Sequence, residues 1–220
     1  EVVEKLTDNG LSASHLQDEK IENLTSEITN FRFFINYPKV DKIKSVASSI
    51  LDGELRGGTP VVKAKALSLF ARYICFEDLE LSKVYVAESL KLSSSIEATI
   101  SEAFILAAKG DTRSALSDLL KATNPLNYSA VFMLKRIKEN SEAAINWLYD
   151  SGLTIRSLDT DGQQSLLSSL IQTKRWEDAL KEVNRLENPT GVKSIGLAYA
   201  IAQVYLINTV TIEDLRESIT

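Results

Sequence analysis

From Ser14 onward apolar residues recur mostly at three- and four-residue steps. Leu16, Ile21, Leu24, Ile28, Phe31 and then Phe34 or Ile35 form the stripe, with Ser14 and Gln17 in capping-box register at its start. That spacing predicts an amphipathic helix, which Pro38 breaks while serving as the first turn of the next. Ile43, Val46, Ala47 and Ile50 give the second helix its apolar face before Gly53 stops it. Gly57-Gly58-Thr59-Pro60 then supplies a flexible pair, an N-cap and a proline at the first helical position. The helix it opens runs to about Ile74. Val62, Ala66, Leu69 and Tyr73 lie on one of its stripes and Leu67, Phe70 and Ile74 on the next, so it is expected to sit sandwiched between neighbours. Ahead of Ser14 no stripe is sustained, and residues 1–13 read as a flexible lead-in.

The same pattern continues to the end of the chain. Leu79 to Leu92 reads as a helix, and Ser94-Ser95-Ile96-Glu97 has the capping-box spacing that opens Ile96 to Lys109. Gly110-Asp111 ends one helix and caps the next. Further helices are expected over Thr112–Ala122, Leu126–Lys138, Ser141–Asp150, Gln163–Thr173, Glu177–Leu186, Val192–Ile207 and Ile212–Ile219, and Leu153 to Asp159 reads as a loop or a single turn. The gaps are short, with Asn124-Pro125, Gly152, Asp161-Gly162 and Asn188-Pro189 as turns. Glycine and proline make only 13 of 220 residues, too few for the turns of a sandwich or barrel. The fold class expected is all-α, with residues 14–219 forming a single helical-repeat domain of about five to six helix pairs.

A repeat underlies the pairs. Ala115-Leu116-Ser117-Asp118-Leu119-Leu120 matches Ala144-Ile145-Asn146-Trp147-Leu148-Tyr149 and Ala179-Leu180-Lys181-Glu182-Val183-Asn184, and weaker copies start at Val46, Glu80 and Asp214. The starts are 34, 35, 29, 35 and 35 residues apart, the period of a helix-turn-helix array. Lys109-Gly110-Asp111-Thr112-Arg113-Ser114-Ala115-Leu116 and Lys174-Arg175-Trp176-Glu177-Asp178-Ala179-Leu180 resemble the inter-helix turn and second-helix start of the tetratricopeptide-like repeat family. The resemblance covers about residues 30 to 219. It implies a right-handed α-solenoid of antiparallel helix pairs, with a small residue near the middle of each first helix. Ser68, Ala103 and Ala202 match that residue, whereas Phe34, Phe132 and Leu167 replace it. A different α-solenoid and a closed helical bundle are the alternatives the pattern leaves.

In that family the first helices line a concave groove. The resemblance therefore places Lys65, Leu69, Arg72 and Tyr73, then Phe104 and Ala108, Met133 and Arg136, and Ser168 and Gln172 on it. Lys65, Arg72, Tyr73, Phe104, Arg136 and Gln172 are the candidate partner-binding residues. The family's clamp for a C-terminal carboxylate matches at Lys65 but has Leu69 where Asn is required, which argues against a chaperone-tail receptor.

Charge and chemistry narrow the reading. The net charge is -5, with Lys and Arg spread evenly against Asp and Glu, so nothing favours nucleic acid as the main partner. His15 is the one imidazole and sits at a helix start; Cys75 is the one thiol and reads as a small buried hydrophobe. No Gly-x-x-x-x-Gly-Lys loop exists. Asp159-Thr160-Asp161-Gly162 looks like the middle of a calcium loop, but Ser157 and Ser168 stand at its ends, and a cap by Asp161 with Gln164 explains it. Trp147 and Trp176 read as core or inter-repeat packing. No metal, cofactor or catalytic constellation is expected. The longest apolar run, Ile195 to Ile207, is too short to span about 30 Å of hydrocarbon.

A lone cysteine fits a reducing compartment, so the expected location is cytoplasmic. The opening Glu1-Val2-Val3-Glu4 reads as a piece of something longer. The function expected is a non-enzymatic scaffold or regulatory module binding a peptide or protein, which includes another domain of the same protein. The alternatives are a helical enzyme or ligand-binding bundle with a closed pocket, and self-association into a homo-oligomer.

Overall fold

The computed structural model describes residues 13–30 and 40–186, and there the chain forms ten α-helices and one short 3-10 turn, with no strand among the described residues. They are α1 (Ala13–Asn30), α2 (Val40–Leu51), α3 (Pro60–Ile74), α4 (Leu79–Leu92), α5 (Ile96–Ala108), α6 (Thr112–Leu119), α7 (Pro125–Lys138), α8 (Ser141–Asp150), α9 (Thr160–Gln172) and α10 (Trp176–Val183). The helices expected over 192–207 and 212–219, residues 1–12 of the lead-in and the positions of Phe34 and Ala202 lie outside the described residues, and Ala13, the last lead-in residue, begins α1. Leu153 to Asp159 contains the 3-10 turn Ile155–Ser157. The chain packs as two compact units, one ending at Asp118 and the other beginning at Leu119.

Side-chain oxygens start most helices by accepting a backbone N–H two or three residues inside. Asp78 accepts from Leu81, Ser95 from Ala98, Asn124 from Asn127, Asn140 from Ala143 and Asp159 from Gly162, at 2.8 to 3.1 Å. Two of these caps differ from the expected ones. Ser95 acts where the capping-box spacing names Ser94, and Asp159 acts where Asp161 was the expected cap, so α9 begins at Thr160 and Gly162 lies inside its first turn. Asp78 also pairs with Lys44 at 3.1 Å, and the Leu81 N–H and this ammonium hold its carboxyl below the ordinary 3.8.

In the first unit α3 is the central helix, packed on α1, α2, α4 and α5. This is the sandwiching that its two apolar stripes predict, and nearly all of its last two turns are buried. Serines allow the close approach. Ser82 Oγ donates to the Ala71 carbonyl and Ser89 Oγ to the Ala64 carbonyl, both at 2.8 Å, so α4 runs antiparallel to α3. Because the Ser89 proton is committed, Ser68 donates to Ser89 Oγ at 2.7 Å. Ser101 Oγ reaches the Ser68 carbonyl at 2.7 Å, setting α5 parallel to α3 at an offset of 33 residues. Each of these buried hydroxyls has an acceptor, which removes the cost of desolvating it. Gly58 is buried beneath Ile21 of α1, and the Thr59 N–H donates to Asp18 Oδ1 at 2.7 Å, so the loop before α3 is docked on α1.

In the second unit α7 packs on α8 and α9, and α9 on α8 and α10. Here the tight point is Gly162 of α9 against Ser129 of α7, again 33 residues apart. Ser129 Oγ accepts from the Asp159 N–H at 3.0 Å. The small residues at the parallel seams are therefore Ser68 with Ser101, and Ser129 with Gly162. Ala103, Phe132 and Leu167, two to five residues away in register, are buried. The signature alanines Ala115, Ala144 and Ala179 are all buried.

Gly110 and Lys174 both follow the last residues of a first helix and both have positive φ, 104° and 59°. Glycine takes this conformation without penalty, and lysine does not. Lys174→Gly is expected to raise the unfolding free energy by about 0.5–1 kcal/mol, read as a later midpoint in urea, while Lys174→Ala leaves it unchanged.

Candidate functional site

Lys65, Leu69 and Arg72 fall on one side of α3, at the three- and four-residue steps of a single helix face. Lys65 is exposed, as an open face requires. Arg72, Tyr73 and Phe104 are not: their exposures are 4%, 5% and 0%. The reason is the parallel seam. Once Ser101 sits on the Ser68 backbone, the next turn of α5 brings Phe104 over Arg72, and the side of α3 that the tetratricopeptide-like resemblance leaves open becomes an α3–α5 contact.

The guanidinium carbon of Arg72 lies 5.8 Å from the centre of the Phe104 ring, within cation–π range. Phe76, 37% exposed, meets the same ring edge-on at 6.5 Å. Cys75 is buried and its thiol donates to the Arg72 carbonyl at 3.3 Å. These residues form a compact group at the end of α3: a cation, two aromatic rings and a capped thiol.

In the second unit Arg136 and Gln172 do come together. Arg136 donates from Nη1 to Ser165 Oγ at 3.1 Å and from Nη2 to Gln172 Oε1 at 3.2 Å. The same Gln172 oxygen accepts from Ser141 Oγ at 3.5 Å. Arg136 is half-buried and Gln172 exposed, so this polar bridge between α7 and α9 faces water.

A second cluster in this unit carries no sequence motif. Arg175 pairs with Asp178 at 2.6 Å and with Glu142 at 3.3 Å, and stacks 5.4 Å from the centre of the Tyr149 ring. Burial, then the Glu182 and Asp178 carboxylates, push the Tyr149 phenol well above its ordinary range. Glu182 is 1% exposed; its Oε2 accepts from the Ile155 N–H at 2.8 Å and its Oε1 faces Arg185 Nε at 3.4 Å. The one local signal for this cluster was the Arg175-Trp176-Glu177-Asp178 run at a helix start, where acidic residues already have a reason to occur.

Elsewhere the chemistry is sparse. His15 is exposed on α1, and Trp147 and Trp176 are half-buried. Among the described residues no group of three or more His, Cys, Asp or Glu side chains is placed to hold a metal ion. No described helix is long and apolar enough to cross a membrane. Comparison with protein-family models, with curated proteins and with solved structures finds no match.

Proposed function

We propose that this chain is a tetratricopeptide-like right-handed α-solenoid that acts, without catalysis, as a cytoplasmic scaffold or regulatory module presenting a concave helical groove to a peptide or protein partner. The observation that carries the reading is the parallel, 33-residue offset between alternate helices. It occurs between α3 and α5 and again between α7 and α9, with an antiparallel helix between each pair. Helix hairpins that contact their neighbours in sequence are the construction principle of a solenoid, whose use is an extended binding surface. Support for the binding face comes from exposed Lys65 and from the Arg136–Gln172 bridge, which present polar groups on first helices of the repeat.

Solution X-ray scattering at several concentrations tests the architecture. An elongated, concentration-independent particle is expected; a globe of about 17 Å radius of gyration overturns the solenoid in favour of a closed bundle, and growth with concentration favours self-association. Capture of partners by the full-length protein tests the face. Lys65→Glu with Arg136→Glu is expected to lose partners held by the parent chain while keeping its helical circular dichroism, and an unchanged set of partners refutes the groove.

A further inference from the structure

The loop that leads into α3 carries chemistry that the groove does not use. Of the four prolines, Pro60 alone follows a hydroxyl residue, so Thr59-Pro60 is the one Ser/Thr-Pro step in the sequence. Thr59 is the N-cap residue of α3, yet its side chain accepts no N–H from the helix, unlike Asp78, Ser95, Asn124, Asn140 and Asp159 at the starts of other helices. Its hydroxyl is not committed to capping. The backbone there is extended, at φ -63° and ψ 147°, Thr59 is half-buried, and Arg56, Gly57 and Pro60 around it are exposed.

The other side of the loop is held by α1. Gly58 lies beneath Ile21, and Asp18 Oδ1 accepts the Thr59 N–H at 2.7 Å. The rest of that attachment is thin. Among the described side chains of α1 only Ile21 and Ile28 are buried. Gln17 Oε1 and Thr25 Oγ1 are sealed from water without a hydrogen-bond partner, each a cost to docking. The ion pairs Lys20–Glu54 and Lys42–Glu27 are exposed and add little. Helix α1 therefore opens at low cost, and its opening bares Gly58 and Thr59 together.

We propose that Thr59 is the acceptor of a proline-directed protein kinase and that the phosphate it receives keeps α1 off α3. In the transfer, Thr59 Oγ1 attacks the γ-phosphorus of ATP. The Oγ1–P bond forms, the bond from that phosphorus to the β–γ bridging oxygen breaks, ADP leaves, and the hydroxyl proton passes to the kinase's base. Pro60 has no N–H, so a pocket closing on the residue after the acceptor takes it without stranding a donor. Arg56, three residues before the acceptor, offers the enzyme a cation to pair. The product carries a charge of about -1.5 to -2 at neutral pH. That charge sits on the residue whose amide Asp18 holds, so carboxylate and phosphate repel at the docking point. The N–H groups of α3's first turn attract the same phosphate, as does Lys63, which already reaches back to the Arg56 carbonyl at 2.8 Å. The modified residue stays with α3 and Asp18 is displaced. Neither a groove nor a solenoid is needed for this.

The test is phosphorylation of the intact chain by a purified Ser/Thr-Pro kinase with Mg-ATP, read by mass spectrometry and followed by hydrogen exchange of the α1 backbone. One phosphate on Thr59 is expected, absent in Thr59→Val, with α1 amides exchanging about tenfold faster or more than in the unmodified chain while those of α7 and α9 are unchanged. Asp18→Asn keeps an oxygen for the Thr59 N–H and removes the charge, so phosphorylation should accelerate α1 exchange much less in that variant. No phosphate on Thr59 of the folded chain overturns the site, even where a peptide spanning residues 54–64 accepts it. A phosphorylated chain with unchanged α1 exchange overturns the release, and an equal acceleration in Asp18→Asn overturns charge repulsion as its cause.

Discussion

Gly162→Ala destabilises the second unit by about 1–3 kcal/mol, although helix propensity alone favours alanine over glycine by about 1 kcal/mol. The two effects have opposite signs, so one denaturation curve decides between them. A Cβ on Gly162 falls 2.0 Å from Ser129 Oγ, 2.6 Å from Ser129 Cβ and 3.1 Å from Leu158 Cβ. Rotating the hydroxyl does not help, because the Cβ–Cβ clash remains and the hydroxyl is the acceptor for the Asp159 N–H. Relief requires α9 to move away from α7, stretching the hydrogen bond from the Asp159 N–H to Ser129. Ser129→Gly removes both clashing atoms and costs stability by itself, through the lost acceptor and a glycine in α7. The double variant should nevertheless be more stable than the sum of the single losses predicts, a favourable coupling that a double-mutant cycle reads directly. Additive losses, or a more stable Gly162→Ala, refute the close approach of α7 and α9.

Glu182→Ala is expected to cost a further large amount, about 1–3 kcal/mol, because it leaves the buried Ile155 N–H without an acceptor. Glu182 joins α10 to the 3-10 turn ahead of α9, and it is the only acceptor placed on that amide among the described residues. Glu182→Gln keeps an amide oxygen of the same reach, so it should lose much less, the remainder reflecting the weaker neutral hydrogen bond and the lost attraction to Arg185. Hydrogen exchange at Ile155 is the sensitive readout: fast in Glu182→Ala, protected in Glu182→Gln. Equal exchange in both would assign the residue to packing alone.

These two positions also show where local sequence rules stop. Asp159 and Asp161 each satisfy a capping pattern, and nothing local ranks them. Ser129 of α7 decides, by accepting the Asp159 N–H while the Asp159 carboxylate turns to Gly162. Ser101 and Ala103 are both small and two positions apart, which is more than half a turn on a helix. Ser101 meets α3 because its hydroxyl finds the Ser68 carbonyl, a bond that alanine cannot make. Glu182 was hidden inside a repeat signature whose alanine and apolar positions drew the reading, since a charged residue there is ordinarily solvated.

The candidate binding residues divide in the same way. The tetratricopeptide-like resemblance implied that Arg136 and Gln172 share one side of their helices, and the two are bonded. It implied the same open side for Arg72, Tyr73 and Phe104, but burial there depends on how closely the next helix approaches. That distance is set by serine side chains on three helices at once.

What the sequence by itself determined is the set of helices: the α2 face of Ile43, Val46, Ala47 and Ile50, the proline-led start of α3, and the bounds of α4 and α8 all follow from turn residues, caps and a 3.6-residue period. Those are interactions among residues a few positions apart. Tertiary structure alone decided which helix faces meet, which of two equivalent caps is used, and that Arg72 is closed over by Phe104 while Lys65 stays open. Those outcomes depend on contacts between residues about thirty apart, where sub-ångström differences in side-chain size select the seam.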